Sequence, residues 1–178
     1  MSTPAAIEVP ARVAMPPQAF IADEPPRREA VLSATNHHWK SEKPHDGIWT
    51  STYTPKEDFC SAWNEWCHQN HWSSGDYGYV LKPIEEATVV EVTGLADLQT
   101  LVDSYERSVP WETHDRAVID FDQLRRDGFD GVHLTASGQQ ECSSLFSEGP
   151  RLQWDCESTV WFRWCFKDDI ERLGEVHR

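Results

Sequence analysis

Trp154-Asp155-Cys156-Glu157-Ser158-Thr159-Val160-Trp161-Phe162 is the stretch on which the reading of this chain turns. Side chains alternate across a strand, so Asp155, Glu157 and Thr159 share one face and Cys156, Ser158, Val160 and Phe162 the other. Aromatic and β-branched residues fill its second half, as in a strand packed within a sheet. A carboxylate in so apolar a run carries a desolvation cost unless it faces water, a partner or a substrate. Two readings follow: an edge strand whose acids are solvated, or a strand that delivers Glu157 to chemistry. On this stretch alone, solvation suffices.

Upstream, the pattern breaks into short elements. Val31 to Thr35 reads as a first strand and Ile48 to Tyr53 as a second, stopped by Pro55. Phe59, Ala62, Trp63 and Trp66 give one apolar face to a helix over Asp58 to Gln69. Tyr77 to Pro83 and Ala87 to Val92 are strands, and Leu95 to Tyr105 is a helix with Leu95, Leu98, Leu101 and Val102 on one face. A short helix over Asp120 to Asp127 closes at Gly128 and leads into the strand Gly131 to Thr135. Residues 136–150 read as a Ser/Gly/Gln-rich loop, and an acidic polar tail begins at Lys167. Residues 1–29 are Pro- and Ala-rich without a period and read as a flexible leader, leaving one domain over residues 30–178. The pattern predicts a mixed α+β domain, not a regular βαβ alternation.

Composition narrows the function classes. In 178 residues, 16 Lys and Arg stand against 30 Asp and Glu, a formal charge of −14. Such a surface repels phosphates and argues against a general nucleic-acid-coating role, while suiting a basic partner. No apolar run approaches the roughly 20 residues needed to span a bilayer, so no membrane partner is expected. The N-terminus lacks a basic start followed by an apolar block, and five cysteines is an odd count. Both features point to reduced thiols and a cytoplasmic setting. There is no GxSxG elbow, P-loop or GxGxxG, so hydrolase, NTPase and Rossmann readings lack their motifs.

Three constellations remain. The strand Trp49-Thr50-Ser51-Thr52-Tyr53 carries hydroxyls that can bond a sugar or orient a catalytic carboxylate, and aromatics that can wall a planar ring. The simpler reading is that Thr and Tyr are ordinary strand formers. His37 and His38 can contact a ribose or phosphate, or can simply be solvated. Cys60, Cys67, His68 and His71 form a conceivable zinc set on a helix, but lack paired CxxC knuckles, and no metal is expected.

The order of these elements resembles the ADP-ribosyltransferase superfamily, especially its small phage and bacterial members. GIWTSTYTP precedes a Trp-rich helix, the strands YGYVL and ATVVEV follow, and a late strand carries a D-x-E pair after DGFDGV. The resemblance spans roughly residues 30–166. It implies a split mixed β-sheet with flanking short helices and NAD bound in its cleft. Thr50-Ser51-Thr52 matches the family's Ser-Thr-Ser strand, Glu157 its catalytic glutamate, and Asp155 the residue two before, which positions the nucleophile. His37 or His38 matches the first-strand ligand of the adenosine side, and Trp49, Tyr53 or Trp63 supplies a stacking wall. The implied activity is mono-ADP-ribosyl transfer from NAD to a protein or nucleic-acid acceptor. NAD hydrolysis at the same site is its variant, and a non-enzymatic acidic binding or inhibitor protein is the alternative.

Overall fold

The computed structural model describes residues 14–31, 33–36, 43–55, 59–107, 119–143, 152 and 154–176. Its strands are β1 (Gln18–Ala22), β2 (Thr35–Asn36), β3 (Pro44–His45), β4 (Ile48–Thr52), β5 (Tyr77–Leu81), β6 (Val89–Val92), β7 (Gly131–Leu134), β8 (Ser158–Trp161) and β9 (Glu171–Glu175). Among the described residues a 3-10 turn (Arg28–Ala30) and four short α-helices punctuate them: α1 (Ala62–Gln69), α2 (Leu95–Ser104), α3 (Phe121–Arg126) and α4 (Ala136–Cys142). Seven strands form one mixed sheet in the order β6-β7-β8-β4-β1-β5-β9, and β2 and β3 pair separately. Among the described strands only β6 and β7 run parallel, joined by the crossover that carries α2 and α3; the other pairs are antiparallel. The chain is thus a mixed α+β fold.

Both faces of the sheet are apolar at their centre, as a sheet covered on both sides requires. On one face Val90, Val132 and Val160 pack with Leu98 and Leu101 of α2, Phe121 and Leu124 of α3, and Trp154. On the other, Ile48, Val89 and Trp161 pack with Leu81, Cys165 and Phe166. Strand period then places Glu91, His133, Thr159 and Thr50 two residues farther along that second face. They are neighbours in register across β6, β7, β8 and β4. A polar row therefore crosses four strands beside an apolar cluster.

β4 changes partners part-way. Ile48 to Thr50 pair with β8, whereas Ser51 and Thr52 pair with β1. The edge of β4 that faces β8 is consequently open beyond Thr50, and a backbone N–H left there needs another acceptor. This opening positions the candidate site.

Several elements depart from the sequence expectation. Gln18–Ala22, assigned to a flexible leader, is a strand inside the sheet between β4 and β5. Its neighbouring prolines hid a five-residue strand whose Gln18, Ala19 and Ile21 are buried. Of the expected first strand over 31–35, only Thr35 among the described residues joins the small β2–β3 ribbon. Part of the expected loop 136–150 is α4, which Thr135 caps by accepting from the Gly138 N–H. The polar tail contains β9, an edge strand whose charged residues are compatible with exposure.

Candidate functional site

Glu157 stands immediately before β8, with its carboxylate in the opening left by β4. Continuing the β4–β8 register by two residues sets Thr52 opposite Glu157. The Thr52 N–H, released from any β8 ladder, donates to both carboxylate oxygens at 3.1 Å. The Thr52 hydroxyl donates to Oε1 at 2.9 Å and the Ser51 hydroxyl to Oε2 at 2.5 Å. Ser51 Oγ in turn accepts the Trp63 N–H from the first turn of α1 at 3.3 Å, satisfying a donor that the helix itself cannot. Glu157 is 8% exposed, and these charge-assisted bonds make its burial tolerable. The carboxylate is fixed in one orientation rather than free to rotate.

Of the three hydroxyl residues, two serve Glu157 and one does not. Thr50 Oγ1 donates to Gln18 Oε1 at 2.7 Å and accepts from Trp161 Nε1 at 2.8 Å. Both of its hydrogen-bonding roles are therefore spent inside the sheet. Gln18, from the strand missed in the sequence, extends the polar row into β1.

A cleft of about 190 Å³ lies next to this cluster, lined by Lys43, Trp49, Thr50, Trp63, Trp154, Asp155 and Ser158. Trp49 and Trp154 meet edge to face with centroids 4.8 Å apart, and Trp63 stacks on Trp66 at 5.1 Å. Indoles from β4, α1 and the approach to β8 thus wall one side. Asp155 and Lys43 form an ion pair at the cleft. Ser51 and Glu157 each lie one residue along the chain from a lining residue, Thr50 and Ser158 respectively. Asp155 and Glu157 both precede β8 in a bend, so they do not share a regular strand face. Asp155 is exposed while Glu157 is buried.

His133 was not singled out in the sequence, although a lone titratable residue in the strand Gly-Val-His-Leu was a usable signal. It is 6% exposed, with Nδ1 2.8 Å from Thr159 Oγ1 and 3.6 Å from Glu157 Oε1. Its Nε2 is 4.0 Å from Glu91 Oε1. Burial pulls the His133 pKa below its ordinary value, and the two flanking carboxylates oppose this without reversing it. The ring is therefore neutral near pH 7. Lys43 was also missed; a lysine in a polar turn gives no sequence signal of the carboxylate it meets.

The remaining candidates disperse. His37 and His38 lie outside the described residues. Tyr53 leaves β4 with its N–H on the Pro17 carbonyl at 2.9 Å and is not among the cleft's lining residues. Cys60 is half-buried and Cys67 buried, whereas His68 and His71 are exposed. Among the described residues no group of three or more His, Cys, Asp or Glu is placed to hold a metal. All five cysteines are free thiols, and burial pushes Cys156 and Cys165 up to about 12 and Cys142 to about 11. No helix among the described residues is long and apolar enough to cross a membrane.

No family model, curated protein or solved structure matches the chain.

Proposed function

We propose that this protein is an NAD-consuming mono-ADP-ribosyltransferase, with Glu157 as its catalytic carboxylate. The observation that carries the reading is the capture of Glu157 by Ser51 and Thr52, at the point where the sheet opens beside an indole-walled cleft. The sequence resemblance to the ADP-ribosyltransferase fold and its hydroxyl strand supports the same assignment. Breaking the nicotinamide–ribose bond sends the bonding pair to the nicotinamide nitrogen and leaves positive charge on the sugar. A buried carboxylate, already oriented by three donors, stabilises that charge without reorganising during the step. The incoming nucleophile forms the new bond to the same sugar carbon and gives up its proton to solvent.

The cleft suits one end of the dinucleotide. Its volume is below the ~300 Å³ usual for a pocket enclosing a whole small ligand, so it takes the nicotinamide–ribose end. Trp49, Trp63 and Trp154 offer flat surfaces to the pyridine ring. Asp155 and Lys43 stand at the same cleft, where Asp155 can direct an acceptor. The acceptor itself is a protein or nucleic acid approaching that side.

Chromatographic measurement of nicotinamide released from NAD tests the reading. Wild type should release it and Glu157→Ala should not; equal release by both removes Glu157 from the mechanism. Release without added acceptor identifies water as a competent nucleophile, the NAD glycohydrolase variant. A second reading, an acidic protein that covers a basic partner, rests on the charge of −14. It requires salt-sensitive binding to a basic protein that survives Glu157→Ala.

A further inference from the structure

The polar row contains a group that the proposed chemistry does not yet use. His133 lies between two carboxylates, with Glu157 on the β8 side and Glu91 on the β6 side. Its ring is buried, while the Glu91 side chain is 30% exposed at the edge strand of the sheet. Among the described residues, Glu91 and Glu157 are the charged groups that face it. Thr159 and the backbone at Ser158 supply its neutral partners. Along the same face of the sheet the row borders the apolar cluster of Ile48, Val89 and Trp161.

Glu157 Oε1 consequently lies between competing groups, the Thr52 N–H at 3.1 Å among them. The Thr52 hydroxyl holds it at 2.9 Å, and His133 Nδ1 stands at 3.6 Å on the other side. A neutral ring whose Nδ1 is occupied by the Thr159 hydroxyl exerts little pull on Oε1. An imidazolium in the same place does two things: it attracts Oε1 across the gap, and it cancels the negative charge offered to a sugar cation. Glu91 tempers both effects by drawing on the far nitrogen. The arrangement therefore couples the carboxylate's orientation and field to the charge of a ring that never touches substrate.

We propose that His133 is a positioning residue for Glu157, and that Glu91 sets the pH at which it releases that carboxylate to the substrate. The inference rests on Glu157 being the catalytic carboxylate. With the ring neutral, Thr52 and Ser51 hold Glu157 in its working orientation. With the ring protonated, Glu157 turns into an internal ion pair and turnover falls. Removing Glu91 makes the imidazolium harder to form, so the acid limb of activity moves to lower pH.

Two measurements on the full chain test this. The first is the pH profile of nicotinamide release for wild type, His133→Gln and Glu91→Gln. Wild type should lose turnover on the acid side, and Glu91→Gln should move that limb to lower pH. His133→Gln should lack the limb and keep a plateau within about tenfold of wild type, the scale of one neutral hydrogen bond. A structural role alone would lower activity at every pH and leave the limb in place, which would overturn the inference. Glu91→Gln keeps the test decisive if His133→Gln does not fold.

The second measurement is NMR titration of the His133 ring without NAD. Its midpoint should fall in both Glu91→Gln and Glu157→Gln; a midpoint unmoved by either overturns the inference. A wild type that releases no nicotinamide at any pH defeats the NAD reading and this role with it. The ring titration still decides separately whether the two carboxylates govern His133.

Discussion

Ser51 and Glu157 are 106 residues apart in the chain, and the hydroxyl of one donates to the carboxylate of the other at 2.5 Å. The contact exists because β4 leaves β8 after Thr50 and pairs with β1 instead. Glu157 fills the gap with hydrogen bonds that a ladder would otherwise make. A buried acceptor with this many donors is both stabilised and immobilised, and its stability and its activity respond to the same substitutions.

Ser51→Ala removes one charge-assisted donor and leaves Glu157 to Thr52. Destabilisation of about 1.5–3 kcal/mol follows from the loss of a bond to a charged group. Urea denaturation followed by tryptophan fluorescence measures it. If Ser51 merely fills space, the change will be within about 0.5 kcal/mol, as for an uninvolved surface site.

Stability should depend on pH through His133. Burial lowers its folded-state pKa, so over part of the acid range the unfolded chain binds a proton that the fold resists. Stability attributable to this group is full above the ordinary value near 6.5, declines as pH drops below it, and levels off below the folded value. Melting temperatures of wild type and His133→Gln between pH 7.5 and 5 on the order of half-unit steps check the sign. The variant should show the shallower acid decline.

Asp130 braces β6 and β7 from beneath. Its carboxylate accepts the Thr88 N–H at 2.7 Å and pairs with Arg163, and the residue is 3% exposed. Asp130→Ala strands the Thr88 N–H and should destabilise by about 2–4 kcal/mol. Arg163→Ala should cost less, because the guanidinium side chain is largely exposed and screened by solvent. Equal losses in thermal denaturation would refute this ranking.

Gly47 turns the chain from β3 into β4 at φ +76°, where an added Cβ would lie 2.6 Å from the Trp161 carbonyl oxygen. Gly47→Ala combines left-handed strain with a backbone clash and should destabilise by more than about 1 kcal/mol. The same variant should lower nicotinamide release, since β4 carries Ser51 and Thr52. A stability unchanged from wild type would mean that the turn relaxes at no cost.

The thiols should resist alkylation in the native state. Cys142, Cys156 and Cys165 are buried with raised pKa values, so little thiolate forms near pH 8. Mass spectrometry after iodoacetamide should find these three unmodified until denaturant is added. Rapid native labelling of Cys156 would show that the approach to β8 opens in solution.

Much of the architecture was legible in the chain. Runs of β-branched, aromatic and other apolar residues marked β4, β5, β6, β7 and β8, and an i, i+3, i+4 apolar stripe marked α2, because a strand buried on both faces leaves its composition, and a helix buried on one face its period, in the sequence. Gln18–Ala22 and Glu171–Glu175 escaped: prolines precede one, and charges with Gly174 fill the other, an edge strand. In both, the partner strand rather than local composition makes the backbone extended. α4 hid in a Ser/Gly/Gln run for a similar reason, since Gly138 lies where a Cβ would be 2.2 Å from the Val92 carbonyl oxygen. Packing required there what helix propensity disfavours.

By itself the sequence determined that this is a mixed α+β chain, strongly acidic, with a hydroxyl-bearing strand and a carboxylate within a late apolar run. Side-chain chemistry and strand period are local properties, readable without a partner. Only the tertiary structure decided that Ser51 and Thr52 reach Glu157 while Thr50 turns to Gln18 and Trp161. It also decided that His133 stands between Glu91 and Glu157. Those choices depend on which strands adjoin, on the register between them and on the point where β4 changes partners. All three are fixed by contacts between segments remote in sequence, so no local pattern encodes them.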